Sequence, residues 1–455
     1  MSISLGVLTD AGVLTDVRAM LRIAVPLALA ELGWMAMGIV DTIMVGRLPD
    51  SAVAIGSSSI GNSVFYGFAI FGLGLMSGLD TFVSQACGAG DWPAARRSLA
   101  SGLVLSGFFT PLVMGFILLI VPLLAVIGVQ PAIRGGAIPF VDVLVWSVPP
   151  LMLYNVFRRY LQGFHKVRPV TFALISANII NAVGDWVLIY GHWGAPSMGI
   201  RGAALSTVLA RIYMAAVLFA AVLLFDRDAF TEFRDLRAGA WKLLRIGLPA
   251  ALTIGFEVGV FNAATALAGT LNAVSLAAHT IALYAASVTY MVPLGISSAA
   301  AVSVGRALGA GDRREASRAG WTAIGLGVIF EIFAALAFVV FPRQIAEVYT
   351  HDERVISFSV TLLDIAAVFQ LFDGLQTIAG GALRGAGNTV TPMLWNLIAY
   401  WFIGLPLGIW LCFRLHWGAV GLWDGLCLSL ILIGTGLVAT WRNSSSWSPP
   451  LPNKA

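Results

Sequence analysis

Ten of the chain's 23 acidic residues stand inside long apolar runs, where a charge is costly and is retained for a purpose. They are Glu31, Asp41, Asp80, Asp142, Asp185, Glu257, Glu331, Asp364, Asp373 and Asp424. In the first half, Asp41 lies deep in its run, and Asn178, Asn181 and Asp185 follow at i, i+3 and i+7, one face of a helix. Two amides and a carboxyl on one face must look into protein or water rather than lipid. Asp41, Asn181 and Asp185 together offer oxygen ligands for a sodium ion, or a place for one proton shared between two acids. An inert hydrogen-bond network between helices would use the same residues. In the second half, Glu257 lies eight residues past Pro249, and Asp373 has Gln370 and Gln376 three positions to either side on its own face. This is a second candidate cation site. Desolvation between helices raises a carboxylate's affinity for a proton, so either acid can be protonated at one stage of a cycle. Asp80, Asp142, Asp424 and Glu331 lie near run ends or lack polar neighbours, and an interfacial, snorkelling position is expected for them.

Other chemistries find no support. The chain has no GxxxxGK[ST] nucleotide loop, no HExxH and no Ser/His/Asp grouping, and its five histidines (His165, His192, His279, His351, His416) are dispersed. Cys87, Cys412 and Cys427 have neither disulfide nor metal-ligand spacing. ATP-driven pumping by this chain alone and an integral-membrane enzyme are therefore disfavoured, and no cofactor is expected beyond a coupling ion, H+ or Na+.

The elements that must position the acids are membrane helices. The chain is 58% hydrophobic and 11% charged, far from the balance of a water-soluble domain. Runs long enough to cross a bilayer fall near 20–46, 53–80, 95–126, 137–157, 169–191, 202–225, 243–268, 274–303, 319–341, 356–380, 391–413 and 419–440. They form two sets of six. TFVSQACGAGDWPAARRS (81–98) recurs as VSVGRALGAGDRREASRA (302–319), 221 positions on. Arg22-Ile-Ala-Val-Pro26 matches Arg245-Ile-Gly-Leu-Pro249 at offset 223, Leu161-Gln-Gly163 matches Leu383-Arg-Gly385, and Trp193-Gly-Ala195 matches Trp417-Gly-Ala419. A duplicated unit in so apolar a chain is the mark of a transporter whose halves face one path. In each GAGD segment glycine permits the turn and aspartate caps the next helix, a packing element first and a hinge second. Pro26 and Pro249 let the first helix of each repeat bend, or set a static kink.

Lys and Arg give the orientation. With a cytoplasmic N-terminus, 20 lie inside and six outside (Arg47, Arg134, Arg201, Arg343, Arg354, Arg414), leaving Arg211 as the in-span base. Both termini are thus expected in the cytoplasm, and the bias accounts for the net charge of +4 without nucleic acid as a partner. Asp10 and Asp16 precede the first run, and no cleavage site follows a short apolar core, so the first span is read as its own uncleaved insertion signal. The expected organisation is a lobe over 1–225, a cytoplasmic linker over 226–240, a second lobe over 241–442, and a Ser- and Pro-rich disordered tail over 443–455.

Across 17–440 the sequence resembles the multidrug and toxin extrusion (MATE) transporters. The resemblance rests on Val40-Asp-Thr-Ile-Met-Val-Gly46, Leu161-Gln-Gly163 with Pro169 following, the FEV of 256–258, and Asp373-Gly-Leu-Gln-Thr followed by Gly381-Ala-Leu-Arg-Gly385. The last two are similar to the NorM-like bacterial branch. The resemblance implies an all-α integral membrane fold of twelve helices in two pseudo-symmetric six-helix lobes flanking a central cleft, acting as a monomer in the bacterial inner membrane. It implies alternating-access export of amphipathic, often cationic drugs or metabolites against inward H+ or Na+. By motif, Asp41 matches the first-span acid of an N-lobe cation site, and Glu257 and Asp373 the acids of a C-lobe site. Asn181 and Asp185 match a fifth-span pair of the DinF-like branch, with Asn178 on the same face. Glu31, Pro26, Gln370 and Gln376 are the expected cavity or gating positions. Two positions depart from the family: Phe369 stands where an ion-binding tyrosine is expected, and Glu31 where glutamine is usual. A lipid-linked sugar flippase shares the architecture but calls for a cationic cavity, whereas acids dominate these spans.

Overall fold

The computed structural model describes residues 10–126, 128–232 and 235–443. The described chain is helical, and twelve helices are long and apolar enough to cross a membrane. In order they are α1 (Leu14–Val45), α2 (Ser51–Gly88), α3 (Trp92–Val126), α4 (Pro131–Gly163), α5 (Arg168–Tyr190), α6 (Ile200–Phe225), α7 (Leu236–Gly269), α8 (Ala273–Gly309), α9 (Arg313–Val340), α10 (Glu353–Gly385), α11 (Val390–Arg414) and α12 (Ala419–Asn443). A bilayer admits only helices and closed barrels, and continuous apolar runs of this length form helices, which bond each backbone amide within their own segment.

The helices form two compact units. One is Leu29–Leu252; the other joins the described residues before Leu29 to those from Thr253 onward. The division falls inside α1 and α7, shortly after Pro26 and Pro249 respectively. In the first unit α4 packs on α2, α3 and α6, and α5 on α6. In the second, α10 packs on α8, α9 and α12, and α11 on α12. Thus α4 and α10, the fourth helix of each repeat, hold the centres. Lipid is as apolar as leucine, so close van der Waals packing rather than water exclusion joins membrane helices. At Gly385 of α10 an added Cβ would lie 2.3 Å from the Ala301 carbonyl oxygen of α8. Many large apolar side chains lie on the outside, among them Phe108, Phe172, Phe333 and Phe402.

Both GAGD turns form as their sequence dictates. Gly90 and Gly311 take φ of 71° and 80°, a region glycine enters without strain. The Asp91 carboxylate then accepts the Ala94 amide at 2.9 Å, and Asp312 accepts that of Glu315 at 2.8 Å. These caps start α3 and α9.

Several helix boundaries differ from the apolar runs. The second run extends to Gly88, and the fourth from Pro131 to Gly163, which draws Asp80, Arg158 and Arg159 into helices. α7 begins at Leu236, inside the stretch expected to link the lobes. That stretch is also anchored at its start. Asp226 is buried, taking bonds of 2.9 and 2.6 Å from Arg96 and 2.7 Å from the Tyr160 hydroxyl. Burial alone would raise the pKa of Asp226; Arg96 and Tyr160 outweigh it and hold the carboxyl below its ordinary value. The expected disordered tail lies, from 444 on, outside the described residues.

α11 departs from α-geometry. It is π-helical over Leu397–Gly404 and again over Trp410–Arg414. It is also 25 residues long, against 23 for its repeat partner α5.

Candidate functional site

The Leu29–Leu252 unit brings Asp41 of α1 to Asn181 and Asp185 of α5. Asn181 and Asp185 are completely buried, and Asp41 is half-buried. Both α5 side chains interact with the Asp41 carboxyl, and Thr207 of α6 donates to its Oδ2 at 3.2 Å. Ser206 clamps Asn181 by accepting its Nδ2 at 3.1 Å and donating to its carbonyl at 2.8 Å. Two carboxyls thus share a pocket of hydroxyl and amide groups, an arrangement suited to one cation or one shared proton. Arg211 of α6 is the nearest basic group whose charge reaches Asp41. Its guanidinium is committed elsewhere, donating to Ser147 Oγ at 2.5 Å and to the Tyr66 hydroxyl at 2.8 Å, and lying 4.7 Å from the Phe65 ring centre. Asn178 does not join the group. Its amide turns back onto its own helix and donates to the Leu174 carbonyl at 2.9 Å.

Glu31, expected at a cavity, is ion-paired with Arg158 of α4, beside the buried Tyr154. Asp80, expected to snorkel, is completely buried and paired with Arg159 at 2.7 Å. The charge that ends an apolar run in the sequence is admissible inside a helix once its opposite faces it. Arg211 is accordingly not the sole base within the spans.

In the other unit, Glu257 of α7 interacts with Tyr290 of α8, which also meets Thr377 of α10. Asp373 is 5% exposed and receives Gln376 Nε2 at 3.2 Å. The same Nε2 lies 3.1 Å from the Tyr400 hydroxyl, a residue of the first π-helical segment of α11. Phe369 contributes no oxygen. It is buried among Phe261 and Trp423, with ring centres at 5.8 and 5.3 Å. The phenols come instead from Tyr290 and Tyr400, which sequence spacing did not reveal, because they reach the acids from other helices. Gln370 lies against Glu331 of α9, which is completely buried rather than interfacial. Pro26 interrupts α1, and Pro249 α7. Among the described residues no three His, Cys, Asp or Glu converge as a metal site.

Twelve apolar helices built from a duplicated sequence, with buried carboxyls set among amides and hydroxyls, define a membrane transport protein rather than an enzyme. The chain belongs to the MatE family, whose model matches residues 26–187 and 249–410, once in each repeat. It is 36% identical over 461 residues to a probable multidrug resistance protein NorM of Mesorhizobium japonicum, covering 96% of both chains. It is 36% identical over 433 residues to the multidrug resistance protein NorM of Burkholderia vietnamiensis, covering 92% of both. Among solved structures it is similar to the eukaryotic MATE transporter AtDTX14, with a TM-score of 0.85 at 23% identity over 95% of this chain and 97% of that one. It is similar also to a variant of the Vibrio cholerae MATE transporter VcmN, with a TM-score of 0.87 at 18% identity over 95% and 98%.

Proposed function

We propose that this chain is a multidrug efflux transporter of a bacterial inner membrane. It exports amphipathic, often cationic compounds by alternating access, driven by inward flow of protons or sodium. The NorM relatives support the substrate class. The observation that carries the coupling is the meeting of Asp41 and Asp185 in one hydroxyl- and amide-lined pocket. Such a pair binds a cation in one state of a cycle and releases it in another, and a ligand shifts that balance only through its differential affinity for the two states. Asp41, Asn181 and Asp185 hold the cation; Glu257 and Asp373 form the second such place. The chain works as a monomer with both termini in the cytoplasm and needs no cofactor. A flippase for a lipid pyrophosphate would require free basic groups, whereas Arg158 and Arg159 face acids, and Arg211 is held by Ser147 and Tyr66.

The test is dye efflux from proteoliposomes with the pH and sodium gradients imposed separately. One of the two is expected to drive efflux in the wild type and to fail in Asp41→Asn. Efflux indifferent to both gradients would overturn the coupling.

A further inference from the structure

Glu331 has no part in the coupling described above, and its surroundings are too particular for filler. It lies within α9, and its side chain is completely buried. Both carboxyl oxygens, and both polar atoms of the equally buried Gln370, stand outside standard hydrogen-bond geometry to any described group. Gln370 is nonetheless the side chain against the Glu331 carboxyl. Asp373, one turn along the same α10 face, feels the charge of Glu331. The backbone is shaped for this acid. A Cβ added at Gly374 would fall 2.5 Å from Glu331 Cγ and 2.7 Å from its Oε1, so only glycine lets the carboxyl lie against α10.

The other helix packed on α9 is α8, and its Tyr290 engages Glu257 and Asp373. Nearby α9-terminal charge is committed at the surface, where Arg343 bonds Glu347 and Glu353. No ion pair of Glu331 occurs among the described residues. A completely buried carboxyl without a basic partner must be compensated by a cation. One carboxyl and one carboxamide are too few oxygens for a sodium shell, which leaves a proton.

We propose that Glu331 is a proton-holding site in its own right, communicating with Asp373 across the α9–α10 contact, with Gln370 beside it and Gly374 as its cradle. The proposal rests on the cation-coupled reading above. In the transport cycle Glu331 takes a proton when Asp373 is charged, because two neighbouring buried carboxylates cannot both stay ionised. Substrate binding that charges Asp373 or Glu257 therefore alters the occupancy of Glu331, and this unit moves protons through a linked set of acids.

The experiment uses the purified full-length chain in weakly buffered detergent. A cationic dye such as ethidium is added and released protons are read with an indicator. The wild type is expected to release the protons of Asp373 and Glu257 less the one that Glu331 takes up, and Glu331→Gln to release roughly one more per chain than the wild type. Glu331→Asp, which restores an acid, is expected to bring the release back to the wild-type value. Gly374→Ala, which keeps the acid and fills its cradle, is expected to shift the pH profile of dye efflux. Equal or smaller proton release by a folded Glu331→Gln overturns the proposal, as does an extra release that Glu331→Asp fails to reverse. If Glu331→Gln does not fold, an efflux–pH profile unmoved in both Glu331→Asp and Gly374→Ala overturns it. Dye binding that answers to sodium and releases no proton in either the wild type or Glu331→Gln removes the role of Glu331 and leaves cation coupling standing. Dye binding indifferent to both ions removes the coupling itself.

Discussion

In the Leu29–Leu252 unit buried acids are met by arginine: Glu31 by Arg158, Asp80 by Arg159, and Asp41 by the more distant field of Arg211. In the other unit Glu257, Asp373 and Glu331 are met by Tyr290, Gln376 and Gln370. The duplication therefore preserved scaffold and not charge. The GAGD turns and their aspartate caps persist in both repeats. At the repeat offset, however, Asp41 corresponds to Ala264, Glu257 to Trp34, Asp373 to Leu151 and Glu331 to Thr110. The buried acids stand at non-equivalent positions of the two repeats, so each unit groups and compensates them in its own way.

The largest effect that would break this comparison is expected at Asp41. Asp41→Asn and Asp185→Asn remove a ligand at nearly constant volume and are expected to reduce dye efflux to background at wild-type expression. Wild-type drug resistance in either mutant would sink the assignment to the first unit. Next come Glu257→Gln and Asp373→Asn, each expected to lower efflux roughly tenfold, the size of an ordinary coupling free energy. Normal transport in both, with Asp185→Asn inactive, would make the acids of the second unit structural. A third measurement compares dye affinity as the coupling cation is raised. Affinity is expected to fall in the wild type and to stay constant in Asp41→Asn; a fall that survives in the mutant moves the antagonism to the other unit.

The arginine pairs sharpen the contrast further. Arg159→Gln strands Asp80 without its partner and is expected to destabilise the chain by about 3 kcal/mol. Adding Asp80→Asn is expected to recover part of the lost melting temperature, and no recovery would show that the pair is not the source. The smallest effect concerns Asp226. Its pKa is depressed in the folded chain, so its bonds to Arg96 and Tyr160 add stability above the unfolded value that is lost as pH falls through the folded one. Asp226→Asn is expected to lower the melting temperature near pH 7, with the difference shrinking on acidification. A difference that stays constant across that range would deny the charge a role.

Most of the fold was legible in the sequence because apolar length and duplication are strong signals, and every expected span has its helix. The meeting of Asn181 and Asp185 in the first unit was legible too, since they share a face by spacing alone. What escaped had one of two causes. Asp80, Arg158 and Arg159 truncated their apolar runs, as isolated charges do, and only a view of both partners shows that burial is affordable. Glu331, Tyr290 and Tyr400 gain meaning through neighbours on other helices. Asn178 illustrates the converse: its spacing placed it on the right face, yet its amide satisfied itself on the turn before.

The π-helical segments of α11 are a record of the chain's history. The repeat offset is 222 from Leu161 to Leu383 but 224 from Trp193 to Trp417, so the second repeat is two residues longer between those anchors. The loops before α5 and α11 are equal in length, Trp193 and Trp417 each lie three positions past the end of the helix, and α11 is the longer helix by two residues. It holds two π segments, and each wide turn can absorb one extra residue without displacing the helix on either side. The insertions were thus taken up locally, and one of those turns now carries Tyr400 toward the acids. A length mutation inside a membrane helix, ordinarily ruinous because it rotates every residue beyond it, was here turned into a new contact.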